Sequence, residues 1–229
     1  MDREKMFSIV GLVLVVGAVV GYSIFDLGKS SKTAVNEVKS ESVAVVNGVA
    51  IPRDQYDTQL SSVLASLKTQ GVDVSTEAKV AEVRTQVLND FINNELVAQG
   101  VIKAGITPTA EEVEKQYQAI LTQAGGAEGM KAELVKANLT DAQLRLNITK
   151  QLAVQAYLLK NINMASITVT DAEVAQFYKE YSAANKNVSP LKDLSAQIKQ
   201  QITVNKQQAL VANFVASLRT GASIETTLK

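Results

Sequence analysis

The sequence predicts a mainly α-helical protein: an amino-terminal transmembrane helix, then a helical bundle with a small β-hairpin and a long closing helix. Residues 7–25 carry no charged side chain. A threonine followed three residues later by an acid or an amide recurs at Thr109, Thr140 and Thr170, and this pattern caps the start of a helix. The pair Asn47-Gly48 lies between two β-prone runs, which is typical of a tight hairpin.

The first hydrophobic segment has the length and composition of a membrane anchor. A helix of the 19 residues from 7 to 25 would be about 28 Å long, close to the thickness of the hydrocarbon layer. The run is apolar on all sides, unlike an amphipathic core helix, and no small-x-small cleavage site follows it. We therefore expect residues 1–25 to remain as an uncleaved, single-pass anchor in the lipid bilayer. Basic residues flank the span on both sides, so charge alone does not set its orientation.

Residues 26–41 predict a flexible linker, because they are polar, rich in serine and lysine, and without an apolar period. The hairpin is predicted over residues 42–51. Pro52 suits the first position of a helix, which we expect to end near Gly71.

Apolar residues spaced three and four positions apart predict the other helices. These are expected over residues 77–104, 109–122, 127–137 and 141–162, after Thr170, and in a closing helix over about residues 190–219. Residues 224–228 are weakly strand-like. Residues 42–229 are thus expected to form one helical domain behind the anchor and linker.

Two absences exclude most common catalytic sites. The chain contains no histidine and no cysteine, so Ser-His-Asp and Cys-His hydrolysis, zinc sites of those residues, and thiol redox chemistry are not available to it. No glycine-rich phosphate-binding motif is present, so we expect no nucleotide. The formal net charge is zero, which does not favour nucleic acid as a partner. We expect no cofactor and no metal.

Two enzymatic interpretations need neither histidine nor cysteine. A Ser-Lys dyad would draw on Ser61, Ser62 and Lys68, but these residues lie on one predicted helix, where a solvated face explains them. The carboxylate pair Glu111-Glu112 stands in the first turn of a helix, where acids already complement the helix dipole. The sequence therefore predicts a protein that is not an enzyme.

Aromatic and methionine side chains are the candidates for binding a flexible polypeptide, since they adapt to many apolar partners. At helical spacing such residues also form ordinary core. The candidate client-binding residues are Tyr117, Met130, Tyr157, Met164, Phe177, Tyr178 and Tyr181.

Several segments, taken in order, resemble the SurA-type chaperones and the PrsA-type foldases that share their amino-terminal domain. The run 43–48, followed by Ile51 and a helix with an aromatic at Tyr56, resembles the opening of that domain. Three later segments resemble its second helix, the turn into its third helix, and the lead into a parvulin isomerase domain: residues 87–96, 104–113 and 167–178.

The sequence departs from the family where the isomerase would stand. Only the eight residues 182–189 separate Tyr181 from Pro190, too few for an inserted parvulin domain, and parvulin sites are built around histidine. The resemblance implies a SurA-like helical chaperone domain without isomerase. It also implies that the closing helix returns to the amino-terminal part, so that residues 224–228 pair beside residues 43–46.

The expected function is that of a membrane-anchored, ATP-independent chaperone, with its folded part on the outer side of a bacterial-type inner membrane. Its expected partners are unfolded or nascent exported polypeptides, and the lipid bilayer through residues 7–25. A structural adaptor in a cell-envelope complex is an alternative interpretation. A peptidyl-prolyl isomerase is a third, suggested by the family name alone.

Overall fold

The computed structural model describes residues 42–186 and 188–228. The predicted anchor over residues 1–25 and the predicted linker over residues 26–41 lie outside the described residues. In the part of the chain that is described, no helix has both the length and the apolar character needed to cross a bilayer.

The described chain is mainly helical with one small sheet, as predicted. The strands are β1 (Ser42–Val46), β2 (Val49–Pro52) and β3 (Ile224–Thr226). The helices are α1 (Arg53–Thr69), α2 (Glu77–Lys103), α3 (Ala110–Gln123), α4 (Ala127–Lys136), α5 (Asp141–Asn161), α6 (Asp171–Ala184) and α7 (Leu191–Thr220). A short 3-10 turn, Met164–Ser166, lies between α5 and α6.

The chain divides into two compact units. The sheet unit contains the described residues up to 157 together with residues 215–228. The helical unit contains residues 158–186 and 188–214. The boundaries fall within α5 and within α7, so each of these two long helices contributes to both units.

The hairpin forms where the sequence predicts it. Asn47 and Gly48 adopt φ angles of 51° and 84°, the left-handed conformation that a tight turn requires and that asparagine and glycine tolerate best. β1 and β2 pair antiparallel, with Val46 opposite Val49. The predicted pairing of the two ends of the domain is also confirmed, because β3 lies on the other side of β1 with Val46 opposite Ile224.

Asn47 joins three parts of the sheet unit through hydrogen bonds of its backbone and of its side chain. Its backbone N–H donates to the Ser223 carbonyl at 2.8 Å, and its Oδ1 accepts from the Ser223 N–H at 2.9 Å. Its Nδ2 donates to Gln99 Oε1 at 2.8 Å, while Gln99 Nε2 donates to the Val46 carbonyl at 3.0 Å. The turn of the hairpin is thereby bound both to the long helix α2 and to the segment that enters β3.

A buried carboxyl group continues this network. Glu95 is only 2% exposed, and its Oε1 accepts from Gln99 Nε2 at 2.7 Å. Its second oxygen has no hydrogen-bond partner. Burial raises the pKa of Glu95, because the charged form loses its hydration and regains only the hydrogen bond from Gln99.

The core of the sheet unit forms where α1 and α2 cover the sheet. Tyr56 packs edge-on against Phe91 with ring centroids 6.2 Å apart, and its hydroxyl donates to the Arg84 carbonyl at 3.1 Å. The aromatic ring is therefore buried while its polar end is satisfied. The buried members of this cluster are Val43, Ala44, Val46, Ile51, Tyr56, Val87, Phe91, Ile92 and Leu96.

Two further contacts fix long helices in the sheet unit. A Cβ at Gly100 of α2 would lie 2.3 Å from the Tyr157 hydroxyl of α5, so only glycine allows this close approach. The last turn of α7 is held by Arg219, which donates to Asn93 Oδ1 at 2.8 Å and to Asn89 Oδ1 at 3.1 Å. The last turn of the closing helix therefore contacts the helix that contains Phe91, in agreement with the return to the amino-terminal part that the family resemblance implies.

The helix starts follow the threonine pattern, with one correction. Thr109 and Thr170 form complete capping boxes, and Thr140 exchanges the same pair of hydrogen bonds with Gln143. The prediction that Pro52 is the first helical residue is wrong. Its ψ of 137° is extended, so it ends β2 and α1 begins one residue later.

The helical unit has its own small core between α6 and the amino-terminal part of α7. Val174, Ile198 and Ile202 are buried there. Tyr178 packs against them, and its hydroxyl donates to the Ser189 carbonyl at 3.1 Å, which ties the end of α6 to the loop before α7. The partly buried residues around this core are Val169, Phe177, Tyr178, Leu191 and Leu194.

Removal of β3 should destabilise the sheet unit. A chain ending at Thr220 loses the β1 ladder partner and the hydrogen bonds of Ser223 and Thr227. A two-stranded hairpin is marginal by itself, so we expect the free energy of unfolding to fall by about 2–4 kcal/mol. Urea denaturation followed by circular dichroism measures the change. A chain ending at Leu228 is the control and should match the full chain; equal midpoints for all three chains would contradict the structural role of β3.

Candidate functional site

The structure distributes the seven predicted client-binding residues over both units. Three lie in the sheet unit and four in the helical unit. The sheet unit contains Tyr117, Met130 and Tyr157, and the helical unit contains Met164, Phe177, Tyr178 and Tyr181. The seven candidates therefore do not all belong to one unit.

Two of the candidates in the sheet unit are core residues. Met130 is 4% exposed and Tyr157 is 7% exposed, with the Tyr157 ring against Gly100. A polypeptide would reach either side chain only by displacing existing packing. Their role in client binding stays a prediction.

The third candidate in the sheet unit, Tyr117, belongs to a polar cluster between α3 and α5. The Arg145 guanidinium carbon lies 3.7 Å from the centre of the Tyr117 ring. Arg145 also forms ion pairs with Glu114 at 2.6 Å and Asp141 at 3.0 Å. The Tyr117 hydroxyl donates to Asp141, which raises the pKa of the phenol and lowers that of the carboxyl group. Because these charged and polar groups pair with one another, the cluster holds α3 and α5 together.

The helical unit contains an open groove between α6 and α7. Its volume is about 390 Å³, and mostly apolar atoms face it. The lining residues, which define the groove from here on, are Ala172, Glu173, Gln176, Phe177, Glu180 and Ile202. Positions 173, 177 and 180 recur at steps of four and three, so they share one face of α6 and bring their side chains to the same opening.

Phe177 and Ile202 form the apolar floor of the groove. Both pack against the small core of the unit, which holds them in place from below. Tyr181, one residue beyond the groove, is 44% exposed. Met164 is half-buried in the 3-10 turn, and Tyr178 faces the core. Of the four candidates in this unit, only Phe177 lines the groove.

An ion pair closes one end of the groove. Lys206 Nζ lies 2.5 Å from Glu173 Oε1 and donates to the Thr168 carbonyl at 2.6 Å. Glu173 also accepts from the Thr170 N–H of its capping box at 2.9 Å. The hydrogen bond from Lys206, followed by that from Thr170, lowers the pKa of Glu173 to about 2. Glu173 is therefore ionised across the physiological range and bound to both helices.

The other end of the groove carries Glu180. Gln176 Nε2 donates to Glu180 Oε1 at 2.6 Å. Within the described residues no lysine or arginine forms an ion pair with Glu180. The groove thus has a neutralised carboxylate at one end and an uncompensated carboxylate at the other.

The groove has no arrangement typical of metal binding or acid-base catalysis. Among the described residues no group of three or more acidic side chains is placed to hold a metal ion. Its two carboxylates are engaged with Lys206 and Gln176 and stand two helical turns apart. The surface it offers is suited to holding an apolar side chain.

The groove residues other than Phe177 were not among the sequence candidates. Gln176 and Glu180 lie on the Phe177 face of α6, so a helical projection of residues 171–184 would have placed them together. Ile202 comes from another helix, and its position depends on how α6 and α7 pack. No local sequence signal identifies that contact.

The Glu173–Lys206 pair predicts a measurable titration. A carboxyl group with a lowered pKa in the folded state contributes stability above its ordinary pKa of 4.5, and this contribution is lost as the pH falls toward 2. In Lys206→Gln the pKa of Glu173 should rise toward 4.5, though the Thr170 hydrogen bond keeps it somewhat lower. Carbon-13 NMR of the Glu173 carboxyl measures this midpoint. Lys179→Gln is the control, because Lys179 lies on α6 with Glu173, and it should leave the Glu173 midpoint unchanged. A Glu173 midpoint near 4.5 in the unmodified chain would contradict the pairing.

Comparison with known proteins agrees with this architecture. The chain matches the SurA-like N-terminal domain family over residues 2–126, more than half of its length. The foldase protein PrsA from two strains of Clostridium perfringens is 24% identical over 213 residues, covering 86% of this chain and 58% of the relative. The chaperone SurA of Chromobacterium violaceum is 30% identical over 156 residues, covering 67% of this chain and 35% of the relative.

The chain therefore spans a little over half of the length of the PrsA relatives and about a third of the SurA relative. The family match includes the hairpin, the helices α1 and α2 that cover it, and the capping box of α3. Of the segments on which the resemblance in the sequence rests, residues 43–56, 87–96 and 104–113 lie within this match and residues 167–178 lie beyond it. The chain belongs to the family of SurA-like N-terminal domains.

Proposed function

We propose that this chain is an ATP-independent chaperone that holds unfolded exported polypeptides outside the cytoplasmic membrane. Family membership supports this proposal, as do the relatives named as a foldase and as a chaperone. In this proposal residues 1–25 anchor the protein, residues 26–41 are the linker, and residues 42–229 are the chaperone domain. The protein performs no catalysis and uses no cofactor.

The open groove of the helical unit is the observation that carries the proposal. An enclosed pocket selects a small rigid ligand, whereas an open apolar surface accepts side chains from a polypeptide of any length. Phe177 is partly buried and lines the groove beside Ile202, which is buried in the core of the unit, so the floor is held rigidly by that core. A smooth charged surface would instead have favoured the adaptor interpretation.

The affinity of such a groove is expected to be low. At about 25 cal/mol per Å², a contact that buries roughly 200–300 Å² of apolar surface gives about 5–7 kcal/mol before the cost of ordering the client. The net affinity of one contact is then micromolar or weaker. Weak contacts allow a client to leave without nucleotide hydrolysis, so the absence of a phosphate-binding motif is compatible with the function.

We expect the full chain to slow aggregation of a denatured protein without ATP, as followed by light scattering at several-fold excess of chaperone. Ala172→Trp, which fills the groove, should reduce this effect at least threefold. The chain offers a matched control, because Ala142 holds the same position after the cap residue in α5 and is also exposed. Ala142→Trp should retain the activity of the unmodified chain.

Two outcomes of this experiment would contradict the proposal. If the full chain leaves scattering unchanged but captures one folded envelope protein at nanomolar affinity, the adaptor interpretation replaces the chaperone. If Ala172→Trp and Ala142→Trp are equally active, the groove is not the client-binding surface.

The proposed chaperone lacks prolyl-isomerase activity. α6 ends at Ala184 and α7 begins at Leu191, so only residues 185–190 stand where the family resemblance implies a parvulin domain. Uncatalysed rotation about the peptide bond to proline has a barrier of roughly 20 kcal/mol. The full chain should therefore leave the rate of isomerisation in a short proline peptide at its background value. An acceleration well above background, in a protease-coupled assay with a known isomerase as positive control, would refute this part of the proposal.

The proposed anchor is tested by fractionation. Because residues 7–25 have spanning length and no charge, the protein should stay in the membrane pellet after carbonate extraction and keep its amino terminus. A chain in which Val15 and Val16 are replaced by Asp should move to the supernatant, since charges at the bilayer centre cost several kcal/mol. Carbonate-soluble protein that begins after residue 25 would show that the segment is cleaved instead.

A further inference from the structure

The charges of the groove are asymmetric in a way that the proposed function does not explain. Its lining includes two carboxylates, Glu173 and Glu180, and no lysine or arginine. Lys206 neutralises Glu173 from the side of α7. Glu180 receives only the neutral amide of Gln176. A ligand in the groove therefore meets an apolar floor with one uncompensated negative charge at its edge.

The spacing along α6 relates this charge to the apolar floor. Phe177 and Glu180 are three residues apart, or about 4.5 Å along the helix axis. Two side chains on the same face of an extended polypeptide are two residues apart, or about 6.6 Å. An extended segment on the groove could therefore place one side chain over Phe177 while the side chain two residues away reaches Glu180.

The charge of Glu180 favours one kind of partner. Glu180 is exposed, and its carboxylate receives a hydrogen bond only from Gln176 among the described residues. Such a carboxylate attracts lysine, and it attracts arginine through two parallel hydrogen bonds. An acidic side chain at that position would instead be repelled by Glu180.

We propose that the groove selects unfolded client segments in which a large apolar side chain and a lysine or arginine are two residues apart. This specificity rests on the proposed chaperone function and adds a substrate class to it. The apolar side chain packs on Phe177 and Ile202, and the cation pairs with Glu180. The client is held by few contacts, so the charge contributes selectivity more than affinity.

Fluorescence anisotropy with labelled, unstructured twelve-residue peptides tests the proposal on the full chain. The peptides share one sequence with a central Phe-Ser-Lys, Phe-Ser-Gln or Phe-Ser-Glu. We expect the lysine peptide to bind at least fivefold more tightly than the glutamate peptide at 50 mM salt. The difference should shrink to less than twofold at 500 mM salt, because salt screens an exposed ion pair.

Charge reversal provides the matched variants. Glu180→Lys should invert the preference, so that the glutamate peptide binds more tightly than the lysine peptide. Glu133→Lys makes the same change of charge near the carboxyl end of another helix, α4, in the sheet unit, and should leave the preference unchanged. Both side chains are exposed, so neither substitution removes core packing.

The outcomes separate this inference from the proposed function. Suppression of aggregation with equal binding of all three peptides would overturn the inference and leave the chaperone function standing. A preference for lysine that Glu180→Lys does not alter would overturn the assignment to the groove. If sedimentation shows a dimer that Glu180→Lys dissociates, and peptides do not compete with it, a second copy of this chain occupies the groove and the inference is wrong.

Discussion

The pairing of β1 with β3 is the constraint on which the sheet unit depends. A hairpin of two short strands is marginal in water, and the third strand comes from the other end of the described chain. Asn47 makes this pairing specific, since its backbone and side chain both bind Ser223, 176 residues away. The hairpin therefore needs the tail in this register.

Asn47 also belongs to a polar network beside the core of the sheet unit. Asn47 and Val46 both bind Gln99, and Gln99 is the one hydrogen-bond donor to the buried Glu95 within the described residues. The second Glu95 oxygen is left without a partner, and burial raises the pKa of the group. A half-satisfied buried carboxyl group costs stability in its charged form. The hydrogen-bond network that joins the hairpin to α2 therefore includes a buried carboxyl group, Glu95, that lowers the stability of the fold when it is ionised.

Local sequence signals predicted the helices and the hairpin because the interactions that start them are local. A threonine cap acts over three residues and the Asn-Gly turn over two, so both can be recognised in the sequence without knowledge of the fold. The prediction that the tail pairs with β1 rested on the family resemblance, since no local feature of residues 224–228 indicates which strand they pair with. Thr76, which caps α2 by accepting from the Lys79 N–H, has no acid or amide three residues on and was missed for that reason.

Side-chain exposure was the least predictable property. Met130 and Tyr157 have the chemistry of an adaptable binding surface, yet both are buried, and the cause in the case of Tyr157 is a glycine 57 residues away in the chain. Gly100 gives no sign in the sequence that a tyrosine ring packs on it. Phe177 has the same chemistry and lines a groove because Ile202 of α7 comes to its side. The distinction between core and surface is therefore a property of helix packing, which periodicity alone does not contain.

In the proposed function, the two ends of the groove have different roles in the binding of a client. The Glu173–Lys206 pair links α6 to α7 and keeps Glu173 ionised, so that end is fixed and already neutral. Glu180 is bound only to its own helix, and its charge remains available to a partner. Because an exposed ion pair contributes at most about 1 kcal/mol, we expect Glu180 to change the affinity for the proposed client by a small factor. In the proposed function, a contact of that strength would distinguish the segments of an unfolded chain by sequence while each of them still dissociates quickly without nucleotide hydrolysis.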